Sequence, residues 1–432
     1  MRDAGALQST IDDALAETPP GRCVWIALSG GLDSSLLLTL AADACRRHPR
    51  PLRALHVHHG LQAAADDFEH HCRRLASRLG VPLWVERVDV DLTAGQGMEG
   101  AAREARYAAF ARRLAPGDTL WLAQHADDQA ETLLLAALRG SGVRGLAAMP
   151  AGRDGQGVYL ARPLLGASRA ALEAEAARRG LAWVEDPSNA DESLDRNFLR
   201  RRVLPLLETR WPAAGRRLAR SAALAGEADG LLDEFAGLDL ARLGGDPARL
   251  PVVELQGLSA PRRRLLIRHA CQRLGLSTPP ARRLEALLAQ LETRVDGEVR
   301  VAWPGAEARV WRGRLYLLRP VEAGPADEER NEWPVAWDGQ APLATPWGEC
   351  RVTLRRDDGA PVRLRVMPRR GGERLRLAGR GRRDLKRLLQ ELDVPPWARG
   401  RLLVVHHGEA AVAVLEPQGP RWRLVAEGWS VA

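Results

Sequence analysis

The sequence predicts an α/β protein: a doubly wound, mostly parallel sheet, then a helical middle domain and a small α+β domain at the C-terminal end. Three observations carry this. Short apolar runs rich in β-formers at 23–28, 53–57, 83–88 and 119–123 alternate with helical patterns at 34–46, 66–79, 99–114 and 127–138. Such alternation implies βαβ units around a parallel sheet. From 213 to 294 the chain is Ala-, Leu- and Arg-rich with helical patterning, followed by a β-like stretch at 299–320. From 350 short strands return around a basic segment, ending in the alternating run 404–417.

These patterns divide the chain into 1–212, 213–320, a linker (or the opening of a new domain) at 321–349 carrying prolines, acids and Trp333, Trp337 and Trp347, and 350–432. The 432 residues hold 63 Lys/Arg against 55 Asp/Glu, a net charge of +8, with 45% hydrophobic and 27% charged residues. That is ordinary globular usage and excludes a disordered, collagen-like or coiled-coil chain. No apolar run approaches the ~18 residues of a membrane span, and the N-terminal segment lacks the pattern of a secretory signal. Cys23, Cys45, Cys72, Cys271 and Cys350 are scattered and form no CxxC, which argues against a zinc ribbon or dithiol site and for free thiols in a reducing compartment. Residues 361–401 carry thirteen Lys/Arg against four acids. A local field of this kind suits a polyanion such as nucleic acid, or else is a solvated charged face.

The sharpest local signal is Ser29-Gly30-Gly31-Leu32-Asp33-Ser34-Ser35, after the first strand and opening a helix. Glycines let the backbone present N–H groups, and a helix N-terminus attracts phosphate. Ser34 or Ser35 is expected to cap the helix. The loop is neither GxxxxGK[ST] nor GxGxxG. An acid inside an anion loop points to a cation, so Asp33 suggests Mg²⁺ shared with phosphates.

Further segments sit where strands end. His56-Val57-His58-His59-Gly60-Leu61 follows the second strand. Arg103 and Arg106 share a helical face, fit either to hold phosphates or to pair with Glu99 and Glu104 on the surface. Gln124-His125-Ala126-Asp127-Asp128-Gln129-Ala130-Glu131 follows the fourth strand. Asp128 and Glu131 share a face and, with Asp127, make an acidic cluster suited to an ammonium or Mg²⁺; alternatively Asp127 is a helix N-cap. Glu185-Asp186-Pro187-Ser188-Asn189 precedes Asp195-Arg196-Asn197-Phe198-Leu199-Arg200-Arg201, where Arg196 and Arg200 fall four apart on a basic helix.

The SGGxDS loop resembles the PP-loop of the N-type ATP pyrophosphatases, which cleave ATP between the α and β phosphates. The four later segments, in this order, together with Asp384–Gln390 and Val394–Trp397, resemble the tRNA(Ile)-lysidine synthetase family. Gln62 and Gln124 depart from it, standing where the family usually has arginine and histidine.

The resemblance implies a cytoplasmic enzyme that uses ATP and Mg²⁺ to join L-lysine to C2 of the wobble cytidine of a CAU-anticodon isoleucine tRNA. An adenylated tRNA is the intermediate. It implies ATP binding by Ser29, Gly30, Gly31, Leu32, Asp33, Ser34 and Ser35, with His56 and His58 beside the adenosine, and Mg²⁺ on Asp33. Catalytic roles fall to Asp33, Arg103, Arg106, His125, Asp128 and Glu131, and lysine binding to Asp127, Asp128 and Glu131. Contacts to tRNA are expected from Arg196, Arg200, Arg201, Arg382, Arg383, Lys386, Arg387 and Arg399. The segment 1–212 is then the catalytic domain, and 213–320 and 350–432 bind tRNA. The oligomeric state stays open, a homodimer included. A tRNA thiolation enzyme of the same superfamily and a non-catalytic RNA-binding protein with a vestigial nucleotide pocket are the alternatives.

Overall fold

The computed structural model describes residues 5–60, 65–90, 97–155, 157–293, 299–320, 333–345, 347–417 and 419–431. Its first part opens with helix α1 (Ala6–Glu17) and strand β1 (Val24–Ala27). Then follow α2 (Leu32–Arg47), β2 (Leu52–His58), α3 (Ala65–Leu79), β3 (Leu83–Arg87), α4 (Gly97–Arg113), β4 (Thr119–Trp121) and α5 (Ala126–Leu138). A short α6 (Val143–Leu146) leads to β5 (Gly152–Gly155), β6 (Val158–Ala161) and α7 (Arg169–Arg178). The sheet order is β3-β2-β1-β4-β6-β5, parallel except for β5 against β6.

Alternation along β1 explains why both sheet faces are covered. Val24, Ile26 and Leu28 join the core with Leu36, Leu37, Leu40 and Leu172 of α2 and α7. Cys23 and Trp25 point the other way, into a core with Phe110 of α4, Leu120 and Leu160. A period of two places successive side chains on opposite faces. The strand order reverses between β1 and β4, so the loops leaving those two strands flank one crevice. Ligands in doubly wound sheets bind there.

The structure adds elements that the sequence patterns do not announce: α1, the β5–β6 hairpin and α7. Next come α8 (Asp195–Phe198), a π-helical turn (Leu199–Val203), α9 (Leu204–Arg210) and the long α10 (Ala214–Arg242). The chain forms two compact units, residues 1–234 and 235–432.

The second unit continues with β7 (Arg249–Pro251), α11 (Val252–Gln256), α12 (Ala260–Arg273) and α13 (Ala281–Thr293). Strands β8 (Arg300–Trp303), β9 (Ala306–Trp311) and β10 (Arg314–Leu318) complete an antiparallel sheet ordered β7-β10-β9-β8. Of the two readings of 321–349, the linker needs correction, and the opening of a new domain is what the described part shows. From Trp333 it is folded, with β11 (Val335–Trp337) and the hairpin β12 (Leu343–Thr345)–β13 (Gly348–Cys350), and Trp333 and Trp337 are core residues. Indole burial overrides the weak periodicity. Residues 321–332 lie outside the described residues.

The rest comprises β14 (Arg355–Arg356), β15 (Leu364–Pro368), β16 (Arg374–Leu377), β17 (Gly381–Asp384), α14 (Leu385–Glu391) and α15 (Pro396–Arg399). After them come β18 (Leu403–His407), β19 (Ala410–Glu416), β20 (Arg421–Val425) and β21 (Trp429–Ser430). The main sheet runs β11-β15-β18-β19-β16-β17, with β20 also on β19. Within the described residues no helix is long and apolar enough to cross a membrane.

Candidate active site

A cleft of about 1610 Å³ opens where β1, β2 and β4 end. Its floor is the 29–35 loop. Gly30 adopts φ +95°, and a Cβ there would lie 3.1 Å from Phe68 Cδ1 and 3.3 Å from Cys72 Sγ. Both conformation and packing therefore require glycine. The helix cap differs from expectation: the N-cap of α2 is Gly31, without a side-chain cap. Ser34 instead turns back, its Oγ accepting from the Ser29 N–H at 3.1 Å and the Gly30 N–H at 3.3 Å. It thereby holds the amides that a phosphate would meet. Ser35 is fully buried and its hydroxyl faces His71 Nε2 at 3.4 Å, away from the cleft, because the second helical residue after Asp33 falls on the core side of α2.

Asp33, on the first turn of α2, faces the cleft and pairs with Arg169, whose Nη1 lies 3.1 Å from Oδ2. Burial pushes the Asp33 carboxyl above its usual range, against the pull of His125 and Arg169. Arg169 is a cleft residue absent from the sequence-based set. Its only sequence signal is Ser168, which caps α7 through the Ala171 N–H and so fixes Arg169 in the first turn.

His125 is the N-cap of α5, which removes the alternative that Asp127 holds that place and leaves Asp127 in the acidic cluster. Its Nδ1 accepts from the Asp127 N–H at 3.3 Å, and Asp128 Oδ2 accepts from the His125 N–H at 3.0 Å. The ring is buried among three carboxylates: Nδ1 is 3.5 Å from Asp127, and Nε2 is 3.5 Å from Asp128 and 3.9 Å from Asp33. Burial alone would lower its pKa, but the Asp127 hydrogen bond and the Asp128 and Asp33 charges outweigh burial and raise it. Asp127 is held low despite burial, by His125 and by the Arg169 N–H that it accepts at 2.8 Å.

Glu131 is fully buried, one turn along. Arg200 donates to it from Nε at 2.6 Å and Nη2 at 3.0 Å, and from Nη2 to Asp128 at 3.0 Å. Burial raises the Glu131 carboxyl, opposed by Arg200. Arg200, expected on an outward basic face with Arg196, is thus turned inward. The π-helical turn over 199–203 breaks the i, i+4 register on which that expectation rested. Arg196 and Arg201 line the cleft. Asn197 is nearly buried and donates to the Ser188 and Asp191 carbonyls, pinning the 185–191 segment over the loop, where the Val184 N–H reaches the Gly30 carbonyl.

His56 is buried, its Nδ1 hydrogen-bonded to the Leu28 carbonyl at 2.8 Å, and His58 Nε2 meets Asp66 at 3.2 Å. Both line the cleft with Arg103 and Arg106. Gln124 accepts from Arg162 Nε at 3.1 Å; Leu61 and Gln62 lie outside the described residues. Among the described residues no three His, Cys, Asp or Glu form a metal cage. A single carboxylate, Asp33, facing a phosphate loop fits Mg²⁺ delivered with nucleotide phosphates, since Mg²⁺ is commonly held by few carboxylates plus phosphates and water. The described cysteines are all free, and burial pushes the Cys72 thiol to about 12 and the Cys23 thiol to about 11, an environment unlike that of the low-pKa thiols that serve as nucleophiles.

In the second unit Arg382, Arg383, Lys386 and Arg387 are exposed on β17 and α14. Arg399, expected to meet tRNA, is instead buried, donating to the Val394 carbonyl at 2.9 Å. Its guanidinium lies 5.9 Å from the Trp311 ring centre.

With this geometry in hand, residues 5–207 match the profile of the PP-loop domain, 250–316 that of the TilS substrate binding domain and 364–417 that of the TilS substrate C-terminal domain. The tRNA(Ile)-lysidine synthase of Methylococcus capsulatus is 43% identical over 92% of this chain and 92% of its own. Those of Xanthomonas axonopodis pv. citri and Alkalilimnicola ehrlichii are 46% and 44% identical, covering 92% and 97% of this chain and 90% and 96% of theirs.

Proposed function

The chain belongs to the tRNA(Ile)-lysidine synthase family, and from that premise we infer an ATP-dependent ligase that converts the wobble cytidine of a CAU-anticodon isoleucine tRNA to lysidine. The observation that carries the lysine assignment is Asp128, which lines the same cleft as the phosphate loop and, with the buried Glu131 behind it, already grips a cation, the Arg200 guanidinium.

ATP lies with its phosphates on the 29–35 loop, where Ser34 yields the Ser29 and Gly30 amides to them. Asp33 is the residue that would hold Mg²⁺ arriving with the nucleotide, and the ion would supply neutralisation of phosphate charge. Asp33 leaves Arg169 for that role, freeing a guanidinium for phosphate. Arg103 and Arg106 add positive charge at the cleft wall. The cytidine O2 attacks the α-phosphorus and the bond to pyrophosphate breaks.

Lysine then enters. Its ε-ammonium displaces Arg200 from Asp128 and Glu131. A carboxyl held above its normal range is a better proton acceptor than an ordinary one, so Glu131 takes the ammonium proton. His125, its pKa raised, offsets the charge of the surrounding carboxylates. The amine attacks C2, and AMP leaves with the C2–O bond electrons. The segments 213–320 and 350–432 hold the tRNA, and the enzyme works in the cytoplasm.

The test uses purified protein, Mg²⁺-ATP, labelled lysine and an isoleucine tRNA transcript with a CAU anticodon. Alkali-stable label in that tRNA, absent from methionine tRNA and from Asp33→Ala, is the expected result. Pyrophosphate release without label would refute lysine as the nucleophile.

A further inference from the structure

Beside Arg103 of the cleft wall lies a group of cations that no acid balances among the described residues. Tyr107 of α4 is flanked by two guanidiniums, that of Arg103 at 4.9 Å and that of Arg153 at 5.4 Å from its ring centre. Arg103 Nη2 also donates to the Tyr107 hydroxyl at 3.3 Å. Behind them Arg162 of the loop after β6 is 4% exposed. It donates to Gln124 Oε1 and, at 2.8 Å, to the Pro150 carbonyl, and also engages the Tyr107 hydroxyl. Its partners are thus neutral. Arg103, Arg153 and Arg162 form no ion pair with a carboxylate among the described residues. A buried guanidinium next to two more is costly without an anion, and clustered arginines with a phenol donor suit a phosphate group.

We propose that Arg153 and Tyr107, backed by Arg162 and next to the cleft-wall Arg103, form a phosphate subsite that takes a backbone phosphodiester of the RNA beside the reacting base. The Tyr107 oxygen accepts from the guanidiniums, which leaves its proton to donate to a phosphate oxygen. RNA rather than the nucleotide is the source because Arg153 sits on the edge strand β5, three strands from β1. At ~4.8 Å per strand that is ~14 Å from the loop that follows β1, beyond a triphosphate seated there and within reach of a neighbouring nucleotide.

This inference rests on the ligase reading above, and its test separates the two. Arg153 is exposed, so Arg153→Gln should fold, and Tyr107→Phe removes only a hydroxyl. Full-length wild type, R153Q, R153K and Y107F are compared for tRNA binding across salt and for the KM of ATP. R153Q should bind tRNA about 3- to 10-fold more weakly at low salt, with a salt slope smaller by about 0.7–0.9. R153K should recover most of the slope, Y107F should weaken binding with the slope unchanged, and the KM of ATP should stay at the wild-type value. Wild-type tRNA binding and slope in R153Q would overturn the subsite. A raised KM for ATP with tRNA binding intact would overturn the RNA assignment. Wild-type protein lacking tRNA-dependent pyrophosphate release would refute the ligase reading instead, whatever the binding data gave.

Discussion

Glu131→Gln separates recognition of lysine from stability of the fold. In the native protein Glu131 is fully buried and receives two hydrogen bonds from Arg200, at 2.6 and 3.0 Å. The amide keeps the shape but removes the charge. Arg200 keeps Asp128 at 3.0 Å and is itself 38% exposed, so it is not left as a lone buried ion. The cost of burying a carboxylate vanishes as well, and unfolding free energy should change by less than about 1 kcal/mol. Lysine loses one charged hydrogen bond, worth about 1.5–3 kcal/mol. At ~1.4 kcal/mol per tenfold, that alone lowers kcat/KM for lysine roughly 10- to 150-fold, and loss of the proton acceptor lowers it by a further factor on the order of 10²–10⁴. Steady-state lysine titration and urea unfolding measure the two quantities, with tRNA-dependent pyrophosphate release in the absence of lysine as the control for adenylation. Unchanged kcat/KM for lysine in a folded E131Q protein would refute the assignment. So would parallel loss of adenylation, which would move Glu131 to the nucleotide step.

Gly30→Ala should lose about 1–3 kcal/mol of stability and most ATP affinity, because φ +95° and the Phe68 and Cys72 contacts leave no room; thermal melting with and without ATP reads both. Asp33→Asn should lower adenylation on the order of 10²-fold. Burial raises the Asp33 pKa, so the folded state takes up its proton at higher pH than the unfolded chain. Asp33 therefore contributes fully to folding below the unfolded pKa and loses that contribution as pH rises through the folded pKa, and D33N should flatten this part of the stability-against-pH curve. Arg399→Ala should cost about 1–3 kcal/mol through the lost Val394 and Trp311 contacts while leaving the salt slope of tRNA binding intact. R382Q and R383Q should each reduce that slope by about 0.7–0.9 with no change in melting.

The sequence by itself determined the sheet and the loop. Short apolar runs of β-formers alternating with helical patterns leave few arrangements besides βαβ units, which is why the strand over 23–28 was legible. An SGG turn between a strand and a helix has few conformations, so the loop was legible too. The family order of the later motifs marked Asp128 and Glu131 for lysine and Arg200 for tRNA. Only the tertiary structure decided how they are used. Arg200 was legible as a basic helix residue, but its inward turn depends on a π-helical turn, a backbone choice that packing makes and spacing does not record. Arg399 looks like its exposed basic neighbours in sequence, yet burial against Val394 and Trp311 sets its role. Arg169 carried no signal beyond a serine cap, because its partner Asp33 lies 136 residues away. Long-range pairing of charges is fixed by where whole elements dock, and local pattern holds no information about that.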